Sequence, residues 1–337
     1  MKPLEEYLKP TQKELFAKLV AMYRGRTVVC KSKYILVRGE APVMLLAHLD
    51  TVHKEPVKHI CRTENGNILM SPQGIGGDDR CGVYALTAVY EQSQVKPWLL
   101  FTCDEEIGGV GAEAFCAKHK AGKTPKELDE MKLLIEIDRK GRNDAVFYDC
   151  DNPEFEKYIT GKGFETEWGS FSDISYVAPE LGVAAVNLSS GYYNAHTQHE
   201  YINRKHLNAT VKKVLEIVAE AALPGFPKYE YVERKFYRGG GGLGGWGGYR
   251  YWDDWDYRGL GNAKAPAEED DFDEGEVDMD SIPEDIRDEY FALLDFYSPE
   301  ELESIRAEMG DAGISMLCQS EFGDDYYGMF EKEAASQ

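Results

Sequence analysis

The chain has little of what marks several common protein classes. Its seven cysteines (Cys30, Cys61, Cys81, Cys103, Cys116, Cys150 and Cys318) are odd in number, widely spaced, and never arranged as Cys-x-x-Cys. That pattern argues against a thiolate zinc site and against a disulfide framework, and it suits a reducing compartment. No apolar run approaches the ~20 residues of a membrane span. The opening Met1-Lys2-Pro3-Leu4-Glu5-Glu6 lacks the apolar core of a secretion signal. A cytoplasmic protein without membrane association is therefore expected. A basic excess is also missing. Residues 1–250 carry 33 Asp/Glu and 33 Lys/Arg, whereas residues 251–337 carry 27 against 5, so the net charge of −22 belongs wholly to the C-terminal part. A balanced front and an acidic back leave no groove of clustered cations for nucleic acid.

What is present is enough for a buried core: 43% of the 337 residues are hydrophobic, and the length fits one large domain plus an appendage. Thr11-Gln12-Lys13-Glu14 reads as a capping box opening an amphipathic helix. Strand-length apolar runs follow at Thr27–Cys30, Tyr34–Val37, Val43–Ala47, Trp98–Thr102 and Leu133–Ile137. Helical spacing occupies Gly82–Gln92, Ala112–Lys120, Glu154–Ile159 and Arg204–Ala221. This alternation predicts an α/β fold, a mostly parallel sheet sandwiched by helices, with ligand sites beyond the carboxyl ends of the strands.

The composition breaks near residue 238. Eight glycines fall between Arg238 and Tyr249, and an aromatic then acidic stretch runs to Asp280. A segment with so little to bury reads as a flexible linker over 238–280. Helical spacing returns over Ile282–Tyr297 and Pro299–Met309, the latter between an N-cap Ser298 and a stop at Gly310. The expected layout is a main domain over 1–237, the linker, and a small acidic helical module over 281–337. That module is a candidate for binding a protein partner or for contact with the chain itself.

Five segments carry candidate chemistry, most of them where a predicted strand ends: His48-Leu49-Asp50-Thr51, Gly76-Gly77-Asp78-Asp79-Arg80-Cys81-Gly82, Asp104-Glu105-Glu106-Ile107-Gly108, Asp138, and Asn194-Ala195-His196-Thr197-Gln198-His199-Glu200. Singly, each has an ordinary explanation, since Asp78 or Asp79 could cap the next helix and a Glu-Glu pair is usually a solvated face. Together they supply two imidazoles and three carboxylates, the donors that two neighbouring divalent ions need, one carboxylate being shared. Glu105 adds a group able to accept a proton from water. Asp50, two residues after His48 on an extended chain, can take the second imidazole N–H.

The order His-x-Asp, Gly-x-Asp-Asp-x-x-Gly, Asp-Glu-Glu-x-Gly, Asp, His-x-x-x-Glu-Tyr, spanning about residues 43–222, resembles the co-catalytic zinc exopeptidases of clan MH: tripeptidase T, carboxypeptidase G and the bacterial zinc aminopeptidases. The resemblance implies a zinc-exopeptidase/phosphorylase-like fold and hydrolysis of peptide or related amide bonds, most naturally by an aminopeptidase, with a deacylase as a variant of the same chemistry. It implies that Asp78 bridges two ions, with His48 and Asp138 completing one site and Glu106 and His196 the other. Glu105 would be the general base, assisting attack by a hydroxide held between the metals, and Asp50 would orient His48. It also implies a cis peptide between Asp78 and Asp79. The ions would be zinc, although imidazole and carboxylate donors admit cobalt or manganese as well.

The sequence departs from that family in three ways. Arg80 stands where many relatives have Lys, a change of little consequence if the side chain faces outward. Only 57 residues separate Asp138 from His196, too few for the inserted lid domain of the tripeptidase-like members. The acidic tail has no counterpart. Ser170–Asp173 and Ser189–Tyr193 are candidate pocket-lining segments, and His53, His199 and His206 are read as structural. The competing reading is a silent metallopeptidase-like scaffold whose acidic C-terminal region binds a partner.

Overall fold

A computed structural model describes residues 2–30, 32–234 and, in the C-terminal part, 282–283, 286, 289–290, 293 and 299–322. The expected linker, 238–280, and most of the predicted helix Ile282–Tyr297 lie outside the described residues.

Eight strands form the main sheet: β1 (Thr27–Cys30), β2 (Tyr34–Val37), β3 (Val43–His48), β6 (Trp98–Thr102), β7 (Leu133–Arg139), β8 (Asp144–Val146), β9 (Glu165–Glu167) and β10 (Ala185–Ser189), in the order β1-β2-β6-β3-β7-β10-β8-β9. The four central strands, β6-β3-β7-β10, are mutually parallel. β2 joins β6, and β8 joins β10, in antiparallel pairing. Every residue of β3 and β6 is buried, because helices cover both faces of a parallel sheet and its strands read as unbroken apolar runs.

One face is covered by α1 (Glu5–Leu8), α2 (Gln12–Met22), α3 (Gly77–Gln92) and α7 (Arg204–Ala221), packed on Leu45, Leu99, Phe101, Ile135 and Ile137. The other is covered by α4 (Val110–Lys120) and α6 (Ile174–Leu181), packed on Leu36, Leu46, Leu100 and Leu134. The amphipathic α5 (Pro153–Gly161) caps the outer edge beside β9. Helix α2 begins with the predicted capping box: Thr11 Oγ1 accepts from Glu14 N, and Thr11 N donates to Glu14 Oε2.

A second, four-stranded antiparallel sheet went unread in the sequence. It pairs β11 (Tyr192–Tyr193), β12 (Tyr201–Asn203), β5 (Ile68–Met70) and β4 (Cys61–Arg62). At two or three residues each, these strands are too short to display a period. The C-terminal helices α8 (Pro299–Met309) and α9 (Asp311–Phe322) contribute Leu302, Ile314 and Cys318 to a small core that includes Ala17 of α2. Helix α2 is therefore covered on two faces. Gly310, with φ +69°, separates α8 from α9, as its stop signal predicts.

Two close approaches set the position of α3. A side chain at Gly82 would put its Cβ 2.2 Å from the Ile137 carbonyl oxygen, so only glycine lets the helix lie this near β7. Arg80 does not face outward, the condition under which its difference from Lys would matter little. It is buried, and Nη1 donates to the carbonyls of Tyr7 and Pro10, both at 3.0 Å. Burial pulls its guanidinium down to about 10. Its role is to pin the N-terminal segment to α3. Replacing it with an apolar residue of similar length strands two carbonyls, so Arg80→Met is expected to lower unfolding stability by about 1.5–3 kcal/mol in urea titrations. An unchanged midpoint would refute this role.

Candidate metal centre

Parallel alignment of β3, β6 and β7 places their carboxyl ends at one edge of the sheet, and three of the five sequence segments meet there. His48 is the last residue of β3, Asp104–Glu106 follow β6, and Asp138 is the penultimate residue of β7. Asp78 arrives at the start of α3, across a cis Asp78–Asp79 peptide as expected. His196 arrives on the loop between β11 and β12.

The geometry centres on one carboxylate. Asp78 Oδ1 lies 3.2 Å from His48 Nε2, and Asp78 Oδ2 lies 3.2 Å from His196 Nε2. On the first side, Asp138 Oδ1 is 3.6 Å from His48 Nε2. On the second, Glu106 Oε2 is 3.1 Å from His196 Nε2. Asp78 thus sits between the two imidazoles, one oxygen toward each. Donor atoms of His48, Asp78 and Glu106, and of His48, Asp79 and Asp138, each fall within 4.8 Å of one another. All five predicted ligands converge.

The surroundings hold these groups in place. His48 Nδ1 lies 3.2 Å from Asp50 Oδ1, which leaves Nε2 facing Asp78 and Asp138. The same carboxylate accepts from the amides of Glu105 (3.1 Å) and Glu106 (3.0 Å), a second role the sequence did not disclose. Gln12, at the start of α2, donates to Asp104 Oδ1. Asp104, Asn194 and His196 hold left-handed φ values of 60°, 56° and 62°, uncommon for residues with a side chain and here fixed by the loops that bear them.

Charge makes the centre unstable by itself. Burial, then the neighbouring Asp78, push the Asp138 carboxyl well above its usual range. Burial would raise Asp78 too, but hydrogen bonds from His196 and His48 outweigh it and hold it low. Burial alone would lower His48, yet Asp138, Asp50 and Asp78 carry it well above the ordinary imidazole value. Hydrogen bonds to Asp78 and Glu106 raise His196 to about 10. So many acids around two imidazoles call for more positive charge than the side chains provide. Glu106 Oε1 and Asp79 Oδ2 are enclosed without a hydrogen-bond partner. Imidazole nitrogens and carboxylate oxygens at this spacing fit borderline-to-hard divalent cations.

Several residues here escaped the sequence reading. Asp79 does cap α3, accepting from Gly82 N at 2.9 Å, while remaining close to His48 and Asp138. Glu136, two residues before Asp138, is fully buried and accepts from Ser172 Oγ at 2.6 Å. Its strand was read only for apolar content, which hides a buried acid. In the segments read as candidate pocket lining, Ser172, Asp173, Ser189, Ser190 and Tyr192 are buried. Several of them brace the centre: Tyr192 Oη donates to the Asp138 carbonyl at 2.9 Å, and Thr102 Oγ1 donates to Asp173. His206 pairs with Tyr193 Oη, and His199 is exposed.

No family model and no curated protein matches the sequence. The chain path is similar to that of several solved peptidases. A tripeptidase from Staphylococcus aureus is 16% identical, covers 65% of this chain and 96% of its own, and superposes with a TM-score of 0.49. The aminopeptidase PepT from Bacillus cereus is 14% identical, with 65% and 98% covered and a TM-score of 0.48. An aminopeptidase from the archaeon Desulfurococcus kamchatkensis is 14% identical, with 65% and 96% covered and a TM-score of 0.46. At this level the likeness is one of fold, and the chemistry is read from the side chains.

A cation that binds only the folded state stabilises it by mass action, about 4 kcal/mol at a thousand times its dissociation constant. Chelation of protein purified without chelator is therefore expected to lower the thermal midpoint by roughly 5–15 °C. His48→Ala should reduce bound metal, measured by elemental analysis, and abolish that response. A midpoint indifferent to chelation would sink the metal reading.

Proposed function

We propose that this chain is a divalent-metal-dependent hydrolase of peptide or closely related amide bonds, working as an exopeptidase of aminopeptidase type. The observation that carries the proposal is the Asp78 carboxylate shared between His48 and His196, with an uncommitted acid, Glu105, beside it. In this reading His48, Asp78 and Asp138 would hold one ion, and Asp78, Glu106 and His196 a second. When bound, such ions supply Lewis-acid polarisation of a carbonyl and acidification of water. Zinc suits the donors, and cobalt or manganese are the alternatives for metal analysis to decide.

Glu105 performs the proton transfers. Burial, reinforced by Asp173, Glu136 and Glu106 and opposed by His48, pushes its carboxyl up to about 8. A group poised near neutrality can take a proton from attacking water and return it to the departing amine. Its backbone amide is tied to Asp50, so the loop that carries it is fixed relative to His48. Asp50 keeps His48 in the tautomer that presents Nε2. The rival reading, a silent scaffold with a partner-binding acidic region, leaves the half-buried Glu105 carboxyl without a task.

The short segment between Asp138 and His196 holds strands, helices and turns of the main domain and no inserted domain, so the centre works without a lid of that kind. Glu105→Gln keeps size and hydrogen bonding but cannot accept a proton. It is expected to retain wild-type metal content while kcat falls 10²- to 10⁴-fold on whichever amino-acid amide, dipeptide or N-acyl amino acid the wild type cleaves best. Turnover within a few-fold of wild type would overturn the assignment.

A further inference from the structure

Glu200 is fully buried, four residues after His196, and it carries none of the chemistry assigned above. Its carboxylate is nevertheless engaged on both oxygens. Oε1 accepts from Asp78 N at 2.9 Å, and Oε2 accepts from Gly76 N at 2.9 Å. Oε2 also lies 2.9 Å from His53 Nε2. His53 is itself wedged in place, since a Cβ at Gly74 would come within 2.2 Å of its ring. One side chain of the His196 loop thus clasps the turn that delivers Asp78.

The loop on which Glu200 sits is braced internally. Thr197 Oγ1 donates to the Asn194 carbonyl at 2.8 Å, His199 N donates to Thr197 Oγ1, and Glu200 N donates to the Thr197 carbonyl. A displacement at Glu200 is therefore passed to His196. His48, by contrast, is anchored in a central strand and fully buried. The two halves share Asp78 but draw their histidines from different supports.

We propose that Glu200 is a positioning residue that locks the His196 loop onto the Gly76–Asp78 turn and thereby sets the half of the centre formed by Asp78, Glu106 and His196, with His53 orienting its carboxylate. The proposal rests on the metal reading of the centre. Glu200→Gln offers one acceptor oxygen where the turn presents two N–H donors, and its amide would face one of them. The clasp opens on one side, while the His48 half stays tied through Asp50.

Cobalt(II) titration of chelated protein, followed by the visible absorption of the bound ion, tests this. Wild type should take up two equivalents. Glu200→Gln should bind the first as wild type does and the second at least tenfold more weakly, the scale on which outer-shell partners act. His53→Ala should weaken the second in the same direction, and His53→Gln, whose amide can still donate to Glu200, should return it to within threefold of wild type. In chelated protein, amide hydrogen exchange over residues 74–79 should be faster in Glu200→Gln and His53→Ala than in wild type. A second equivalent bound within twofold of wild type by Glu200→Gln, or a His53→Gln no better than His53→Ala, would overturn the proposal. If Glu200→Gln does not fold, the two His53 variants decide. If wild type takes up no cobalt, the metal reading falls, and the exchange rates still report whether the clasp exists.

Discussion

Everything at the carboxyl edge of the sheet depends on the shared position of the Asp78 carboxylate. Its two oxygens face two histidines that come from opposite ends of the main domain, one from a central strand and one from a loop more than a hundred residues later. A buried carboxylate is costly unless each oxygen is matched. Here the matching is done from both sides by the two imidazoles, while Glu200 holds the Asp78 backbone by accepting from its amide. The fold is organised to bring these supports together: parallel central strands align His48, the Glu105–Glu106 loop and Asp138, and the small antiparallel sheet carries the His196 loop up to them.

The accumulation of acid is the second organising fact. Asp50, Asp78, Asp79, Glu105, Glu106, Glu136, Asp138 and Asp173 lie in or beside one region, half of them buried and the rest half-buried. Hydrogen bonds satisfy part of that burden: amides at Asp50 and Asp79, hydroxyls at Glu136 and Asp173. The remainder is matched only by imidazole protons or by cations. The arrangement costs folding stability in exchange for a place where charge can be handled, the usual relation between a site and the scaffold that carries it.

The central strands, and the residues that converge at their carboxyl ends, were legible in the sequence because both leave clear marks. Buried parallel strands are apolar runs bounded by breakers, and the ligands fall just beyond them. What went unread was hidden for identifiable reasons. Helix α6 carries Pro179 in its interior, a residue that ordinarily argues against a helix. Strand β9 is Glu165-Thr166-Glu167, exposed along its length, with nothing in its composition to mark a pleated surface. The place of Arg80 was left open by the sequence, and two carbonyls at the α1–α2 junction give it a reason to be inside. Glu200 was visible as a letter in a pattern, but its role depends on amides supplied by a turn more than a hundred positions away.

Asp50 shows what such economy entails for dissecting the protein. One short side chain serves the tautomer of His48 and the amides of two consecutive glutamates. A change there cannot be read as the loss of a single contact, because proton inventory, ligand aim and loop register all shift together. Substitutions at Asp50 and at Glu105 or Glu106 are coupled through one group, so their effects will not sum, and thermodynamic cycles through this corner measure a network rather than a pair.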